Sequence, residues 1–151
     1  MLKRHSQHKL TFPILSLLWV FVILWFSLQD GSTSSLQSGF ITANIQRLLS
    51  NIGIDVERQL LGFLIRKTAH FTEFFILGVL VKRSAFDLKN NLILYLSFLV
   101  PIIDETVQSF VPGRAMTLMD MLIDSAGIST GIIAVYVLYN IILNKHTERE
   151  D

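Results

Sequence analysis

The stretch Ile103-Asp104-Glu105-Thr106-Val107-Gln108 lies near the end of an apolar run, residues 91–111, that is long enough to cross a membrane. It places two neighbouring carboxylates and an amide among aliphatic side chains. A charge at bilayer depth costs about 2.5–3.5 kcal/mol on insertion scales. These acids therefore require polar partners, and the rest of the chain supplies candidates for them.

The composition is that of an integral membrane protein. Of the 151 residues, 51% are hydrophobic, and the mean hydropathy is +0.51. The formal net charge of +1 gives no support for nucleic-acid binding. The chain contains no Cys, which excludes disulfides, thiol catalysis and thiolate metal sites. We expect one membrane domain and no additional soluble domain.

Four apolar runs predict an all-α fold with four transmembrane helices in a bundle. The runs cover about residues 10–28, 65–82, 91–111 and 119–143. Basic residues in the segment 1–9 predict a cytoplasmic N-terminus, and four spans return the polar tail 144–151 to the same side. A signal peptide is the alternative for the first run, but no small-residue cleavage site follows it.

The segment between the first two runs predicts a loop and then a short helix. Residues 29–39 are rich in Ser, Gly and Gln, which indicates an exposed loop. From Phe40, an i, i+4, i+7, i+8 spacing of apolar residues predicts an amphipathic helix ended by Gly53. This helix would lie in the membrane interface, act as a lid or merely shorten the loop. Asp55 is the expected N-cap of the next helix, and Pro101 is expected to kink the third span.

The up-and-down order of the spans brings their polar residues to one depth. These residues lie in the outer half of the second span, at the end of the third and at the start of the fourth. On each helix they also share a face at 100° per residue. Each would be costly in contact with lipid, so we expect them to line an outward-facing polar pocket. The set comprises Arg66, Lys67, His70, Glu73, Asp104, Glu105, Gln108, Arg114, Asp120 and Asp124.

The face of the fourth span that carries the acids also carries two glycines. Asp120 and Asp124 share this face with Gly127 and Gly131. Small residues four apart allow another helix to approach closely. We therefore expect the Asp face to point into the bundle.

Three chemistries fit this set of side chains. In the catalytic hypothesis, His70 forms an acid–base pair with Glu73 or Glu105, and basic residues hold an anionic headgroup. The catalytic candidates are His70, Glu73, Asp104, Glu105 and Gln108, and the ligand-binding candidates are Arg66, Lys67, Arg114, Asp120 and Asp124. A divalent cation is the second chemistry, but the spacing of the acids and the His matches no metal motif, and we predict no metal site. Binding of an anionic ligand without turnover is the third.

A purely structural explanation also stands. The same charges could form an ion-pair network that only holds the four helices in register. Buried ion pairs rarely stabilise a protein better than apolar packing does, so their number is a weak argument for function. The sequence leaves this explanation open beside the three chemistries.

The polar pattern resembles that of the VanZ-like family of bacterial membrane proteins. The resemblance rests on Arg66-Lys-Thr-Ala-His70-Phe-Thr-Glu73-Phe-Phe75, on Asp104-Glu-Thr-Val-Gln108, on Arg114 followed by Asp120, and on Ser27-Leu-Gln29 after the first span. It covers nearly the whole chain in the same order. The family is named for a protein that raises resistance to the glycopeptide teicoplanin. The resemblance implies a cell-envelope role, and it groups these polar residues into one site without implying drug resistance.

Together these observations predict a membrane protein of the cell envelope. Its expected partners are membrane lipids and an amphiphilic or lipid-linked ligand, such as a lipid headgroup, a wall precursor or a lipoglycopeptide, which it binds or modifies. A membrane enzyme that uses His and carboxylate chemistry on a lipid is the alternative, as is a structural or assembly role. The sequence does not determine the oligomeric state.

Overall fold

The computed structural model describes residues 10–147, with side chains placed for residues 10–142. This part of the chain is all-α, as the sequence predicts. Its helices are α1 (Thr11–Ser27), α2 (Gly31–Asn51), α3 (Arg58–Leu88), α4 (Leu92–Ser97), α5 (Val100–Ser109) and α6 (Leu118–Thr147). The predicted cytoplasmic segment 1–9 lies outside the described residues. The predicted tail begins as a continuation of α6, and its last residues, 148–151, are also outside.

The prediction of an exposed loop over residues 29–39 is wrong, because α2 begins at Gly31 and extends over 21 residues. The carboxylate of Asp30 caps its start by accepting hydrogen bonds from the Ser32 hydroxyl at 2.6 Å and the Thr33 N–H at 2.7 Å. These bonds hold the pKa of Asp30 below its ordinary value. The cap offsets the low helix propensity of the Ser- and Gly-rich segment, and the predicted amphipathic helix is the second half of α2. The helix ends near Gly53, whose φ of 78° suits a glycine.

Helix α3 is longer than the predicted second span and forms the centre of the fold. It extends over 31 residues and packs against α1, α2, α4 and α6. The prediction of Asp55 as its N-cap is wrong. Glu57 occupies that position without a side-chain cap bond, and Asp55 instead accepts a weak hydrogen bond from Ser50 at 3.5 Å. The helix ends at Lys89, which adopts a left-handed conformation with φ 53°.

The third apolar run is divided into two helices, as a proline in a helix predicts. Pro101 lies in the first turn of α5, where its missing N–H is tolerated. The preceding residues Phe98 and Leu99 form turns between α4 and α5. The two short helices together still form one apolar stretch, Leu92–Ser109, that is long enough to cross a membrane.

The closest helix pair is α3 with α6, and glycines make the approach possible. A Cβ on Gly127 would lie 2.6 Å from the Phe71 carbonyl oxygen, and a Cβ on Gly131 or Gly78 would collide with backbone of the facing helix. This interface is the one that the Gly-x-x-x-Gly spacing predicts. The apolar core is formed by side chains of α1, α3 and α6, namely Ile23, Phe74, Leu77, Val81 and Ile128.

The outer surface of the bundle is apolar, as in a membrane protein. Phe21 and Trp25 on α1 are 62% and 69% exposed. By length and composition, two stretches of the described chain qualify as membrane spans, Leu92–Ser109 and Leu118–Ile142. Helices α1 and α2 are bent by 101° relative to each other, and they add a third span if the pair is counted as one. The predicted four spans therefore remain a prediction, since α1 alone has 17 residues and α3 carries several charges.

Candidate functional site

The predicted polar residues lie around a cavity where five elements meet. The end of α1, the first half of α2, the first half of α3, the end of α5 and the turn before α6 enclose about 170 Å³. The lining side chains are Phe26, Ser27, Gln29, Ser34, Gln37, Ser38, Ile41, Ile65, Arg66, Ala69, His70, Glu73, Asp104, Gln108 and Arg114. A neighbouring cavity of about 260 Å³ shares five of them and adds Lys67 and Asp120. The structure thus brings eight of the ten predicted residues to the walls of two adjoining cavities.

A contact between glycines positions the turn that carries Arg114. The Gly31 N–H donates to the Pro112 carbonyl oxygen at 3.0 Å. Any Cβ on Gly31 would collide with the backbone of Gly113, which itself has a φ of 76°. Two glycines are therefore needed for the start of α2 to contact the turn between α5 and α6.

Arg114 extends from this turn across the end of α1. Its guanidinium donates to the carbonyl oxygens of Phe26 at 3.2 Å and Ser27 at 3.4 Å, and to the Ser34 hydroxyl at 3.4 Å. The last carbonyls of a helix lack helical partners and carry partial negative charge, so a cation is favourable there. Arg114 thus stabilises the end of α1 while its guanidinium still lines the cavity.

The cavity's arginines are not neutralised by carboxylates. Within the described chain, Lys67 is the lysine or arginine that forms an ion pair, with Asp120. Neither Arg66 nor Arg114 has a carboxylate oxygen within 4.0 Å. Arg66 lines both cavities and its residue is exposed. Of the ion-pair network considered from the sequence, the structure contains the Lys67–Asp120 pair between α3 and α6, and Arg66 and Arg114 take no part in it.

Asp104 lines the cavity and accepts hydrogen bonds from two donors. Its carboxylate accepts a hydrogen bond from the Ser27 hydroxyl at the end of α1, and one from the Gln108 amide at 2.7 Å. The residue is 1% exposed. Gln108 lies one turn along the same helix, so the spacing of the two residues in the sequence explains their hydrogen bond.

His70 lies between the cavity and a fully buried carboxylate of α6. Its Nδ1 is 3.4 Å from an Asp124 carboxylate oxygen, without hydrogen-bond geometry. Asp124 is 0% exposed and does not line the cavity. One ligating atom from each of His70, Asp104 and Asp124 lies within 4.8 Å of the others.

Two of the predicted acids have contacts outside the main cavity. Glu105 points to the start of α6, where it accepts a hydrogen bond from the Thr117 N–H at 2.7 Å. Asp120 exchanges hydrogen bonds with Thr117, donating its N–H at 3.1 Å and accepting the Thr117 hydroxyl at 2.7 Å. Both acids therefore fix the first turn of α6. Of the two adjacent acids that mark the third span, Asp104 and not Glu105 faces the cavity.

Helix α2 also contributes to the site, which the sequence pattern did not predict. Ser34, Gln37 and Ser38 form one wall of the cavity, but a segment interpreted as an exposed loop offered no reason to select them. The signal that could have found them is the Asp30 cap. Ser27 and Gln29 do belong to the family resemblance, and the structure places both at the cavity.

Comparison with known proteins agrees with the family suggested by these motifs. The VanZ/LLP1 family model matches residues 12–141, which cover all six helices apart from the first residue of α1 and the end of α6. Searches of curated proteins and of solved structures find no match. The family match covers most of the chain and contains every residue that lines the cavity. The chain therefore belongs to the VanZ/LLP1 family.

Proposed function

We propose that this chain is a multi-pass membrane protein of the cell envelope that binds the anionic headgroup of an amphiphile in the cavity. The observation that carries the proposal is the pair of guanidiniums, Arg66 and Arg114, which line one cavity without a carboxylate partner. Planar guanidinium groups match phosphate and carboxylate oxygens in geometry as well as in charge. The ligand is therefore an anion.

The size and surroundings of the cavity favour a headgroup over a whole lipid. Its volume of about 170 Å³ is below the about 300–1,000 Å³ that encloses a drug-sized ligand. The helices around it expose large apolar side chains, such as Trp25 and Phe110, to the surroundings. An amphiphile would place its polar group in the cavity and its chains along this apolar surface. A lipid phosphate and a lipid-linked wall precursor share this chemistry.

The binding experiment compares headgroups on short-chain lipids that remain soluble. Purified protein in detergent is titrated with dihexanoyl phosphatidic acid, dihexanoyl phosphatidylcholine and dihexanoyl glycerol, and binding is measured by calorimetry. We expect the phosphatidic acid to bind most tightly. Hydrogen bonds to charged groups contribute about 1.5–3 kcal/mol, so Arg66→Gln or Arg114→Gln should weaken binding about tenfold or more.

A matched control separates the cavity from general charge attraction. Arg47 lies exposed on α2 and lines none of these cavities, so Arg47→Gln should bind the anionic lipid like the wild type. Equal binding of neutral and anionic lipids would contradict the proposal. Unchanged binding in both Arg66→Gln and Arg114→Gln would contradict it as well.

A membrane enzyme is the second candidate, and the arrangement of His70 favours it. The imidazole lines the cavity and is backed by a buried carboxylate, Asp124, at 3.4 Å. A carboxylate behind a histidine favours the protonated ring and suits acid–base chemistry. Asp124 would be the partner of His70 in this chemistry, in place of Glu73 or Glu105. Turnover of a bound lipid that is lost in His70→Ala while binding persists would establish it.

A further inference from the structure

The carboxylate of Asp124 is buried, and its one ion-pair contact within the described chain is the His70 Nδ1 at 3.4 Å, which lacks hydrogen-bond geometry. The residue is 0% exposed, and both of its oxygens lack a hydrogen-bond partner within the described chain. Buried polar atoms nearly always have partners, because leaving a charged group unsatisfied in an apolar interior is costly. Asp124 thus points to a missing positive group beside it.

His70 and Asp104 lie where that group would be bound. The His70 Nδ1 is also buried without a hydrogen-bond partner and is 3.4 Å from an Asp124 oxygen. One donor atom from each of the three residues lies within 4.8 Å of the other two. Ligand atoms about 2.0–2.2 Å from a metal ion are about 3–4 Å apart, so small side-chain rotations would close the three around an ion.

The charges around the site also indicate a missing cation. Five carboxylates surround the cavities and the start of α6, on Glu73, Asp104, Glu105, Asp120 and Asp124. Three permanent cations face them, on Arg66, Lys67 and Arg114. Within the described chain, the permanent cation that pairs with a carboxylate is Lys67, with Asp120, so neither Asp104 nor Asp124 has a Lys or Arg nitrogen within 4.0 Å. A divalent cation would supply positive charge beside these two buried acids.

We propose that His70, Asp104 and Asp124 bind a divalent transition-metal ion of the Zn²⁺ or Mn²⁺ type. One imidazole and two carboxylates favour such ions over soft, thiolate-binding ones. Hydrogen bonds from Ser27 and Gln108 hold the Asp104 carboxylate in place, as outer contacts do for metal-binding carboxylates. His70 and Asp104 also line the cavity, so an open coordination position would face it. The proposal stands on these three residues and does not depend on the proposed headgroup binding.

The test uses the metal ions alone. Full-length protein in detergent is treated with a chelator and dialysed, then titrated with Mn²⁺ by electron paramagnetic resonance and with Zn²⁺ by calorimetry. We expect one ion per chain and a rise in melting temperature on metal addition. Asp124→Asn and His70→Gln should each weaken affinity at least tenfold, and pulsed resonance of bound Mn²⁺ should detect one imidazole nitrogen.

The control is another carboxylate with a buried, unpartnered oxygen. Asp87 lies near the far end of α3, away from the three residues, and Asp87→Asn should keep full metal binding. Failure of the wild type to bind one equivalent of either ion would overturn the proposal, as would an Mn²⁺ signal without nitrogen coupling. These measurements on the wild type test the proposal even if Asp124→Asn or His70→Gln fails to fold. Loss of lipid binding in the Arg66 and Arg114 variants is measured separately, so the two proposals can fail independently.

Discussion

The hydroxyl of Ser27, the last residue of α1, donates a hydrogen bond to the carboxylate of Asp104 on α5. This bond connects two helices that are separated by 77 residues of chain, and both partners are buried. Both residues line the polar cavity. Asp104, an acid within an apolar run of the sequence, therefore has a specific partner on another helix.

We expect Ser27→Ala to destabilise the protein by about 1–3 kcal/mol, because it removes one of the two donors to a buried carboxylate. The measurement is the melting temperature in detergent, together with resistance to denaturation by SDS. Ser35→Ala is the control, since Ser35 is exposed on α2. Equal stability of Ser27→Ala and the wild type would show that this bond contributes little.

The surroundings of two helical glycines predict opposite effects of substitution by alanine. Gly78→Ala would force a methyl group against the Ile128 backbone and should cost about 1–3 kcal/mol or more. Gly39 lies within α2 with no atom near its missing Cβ, so Gly39→Ala should stabilise the protein by about 0.5–1 kcal/mol. Thermal melting of both variants in the same detergent tests the pair. A stable Gly78→Ala protein would contradict the close helix approach.

The Asp30 cap predicts that the start of α2 depends on one exposed carboxylate. Asp30→Ala should increase hydrogen exchange of the first turn of α2, because the Ser32 and Thr33 donors lose their acceptor. The lowered pKa of Asp30 adds a pH dependence. The cap contributes fully above the ordinary Asp pKa of the unfolded chain and is lost as pH falls through the lowered folded value.

Exchange measured at several pH values tests this prediction. Asp55→Ala is the control, because Asp55 caps no helix in the structure. If the first turn of α2 exchanged equally in Asp30→Ala and the wild type, the cap would not account for the helix. If fraying began well above the ordinary Asp pKa, the predicted direction of the pKa change would be wrong.

The membrane topology can be tested directly, since we predict four membrane crossings with both termini in the cytoplasm. Reporter fusions after Gly113 should report the outer side of the membrane, and fusions after Lys89 the cytoplasm. The cavity lies at the Gly113 end of the bundle, so it would open outward. The reverse result would place the cavity on the cytoplasmic side. If both fusions reported the same side of the membrane, the chain between Lys89 and Gly113 would not cross it.

Local patterns predicted much of this fold. The apolar runs locate α1, the α4–α5 pair and α6, and Pro101 locates the break between α4 and α5. The Gly127 and Gly131 spacing predicts the face that packs on α3. These features depend on neighbours within one or two helical turns, which is the range that a sequence pattern describes.

Two predictions failed for different reasons, one through a local cap and burial in the folded chain and the other through contacts with other helices. Residues 29–39 have low helix propensity, yet they form α2 because Asp30 caps the first turn and Ser38 and Thr42 are buried in the folded chain. The orientation of the two adjacent acids depends on donors from other helices, Ser27 for Asp104 and the Thr117 N–H for Glu105. Adjacent residues on a helix point about 100° apart, and the sequence does not specify which of the two faces the cavity.

The sequence by itself determined that this is an all-α membrane protein of the VanZ/LLP1 family with polar residues at one end of its helices. The cost of charge in an apolar environment requires those residues to converge. Tertiary structure alone decided how they converge. It leaves Arg66 and Arg114 without carboxylate partners and places Asp124 beside His70 without a hydrogen bond between them. Helix packing sets such distances between side chains, which no spacing along the chain can specify.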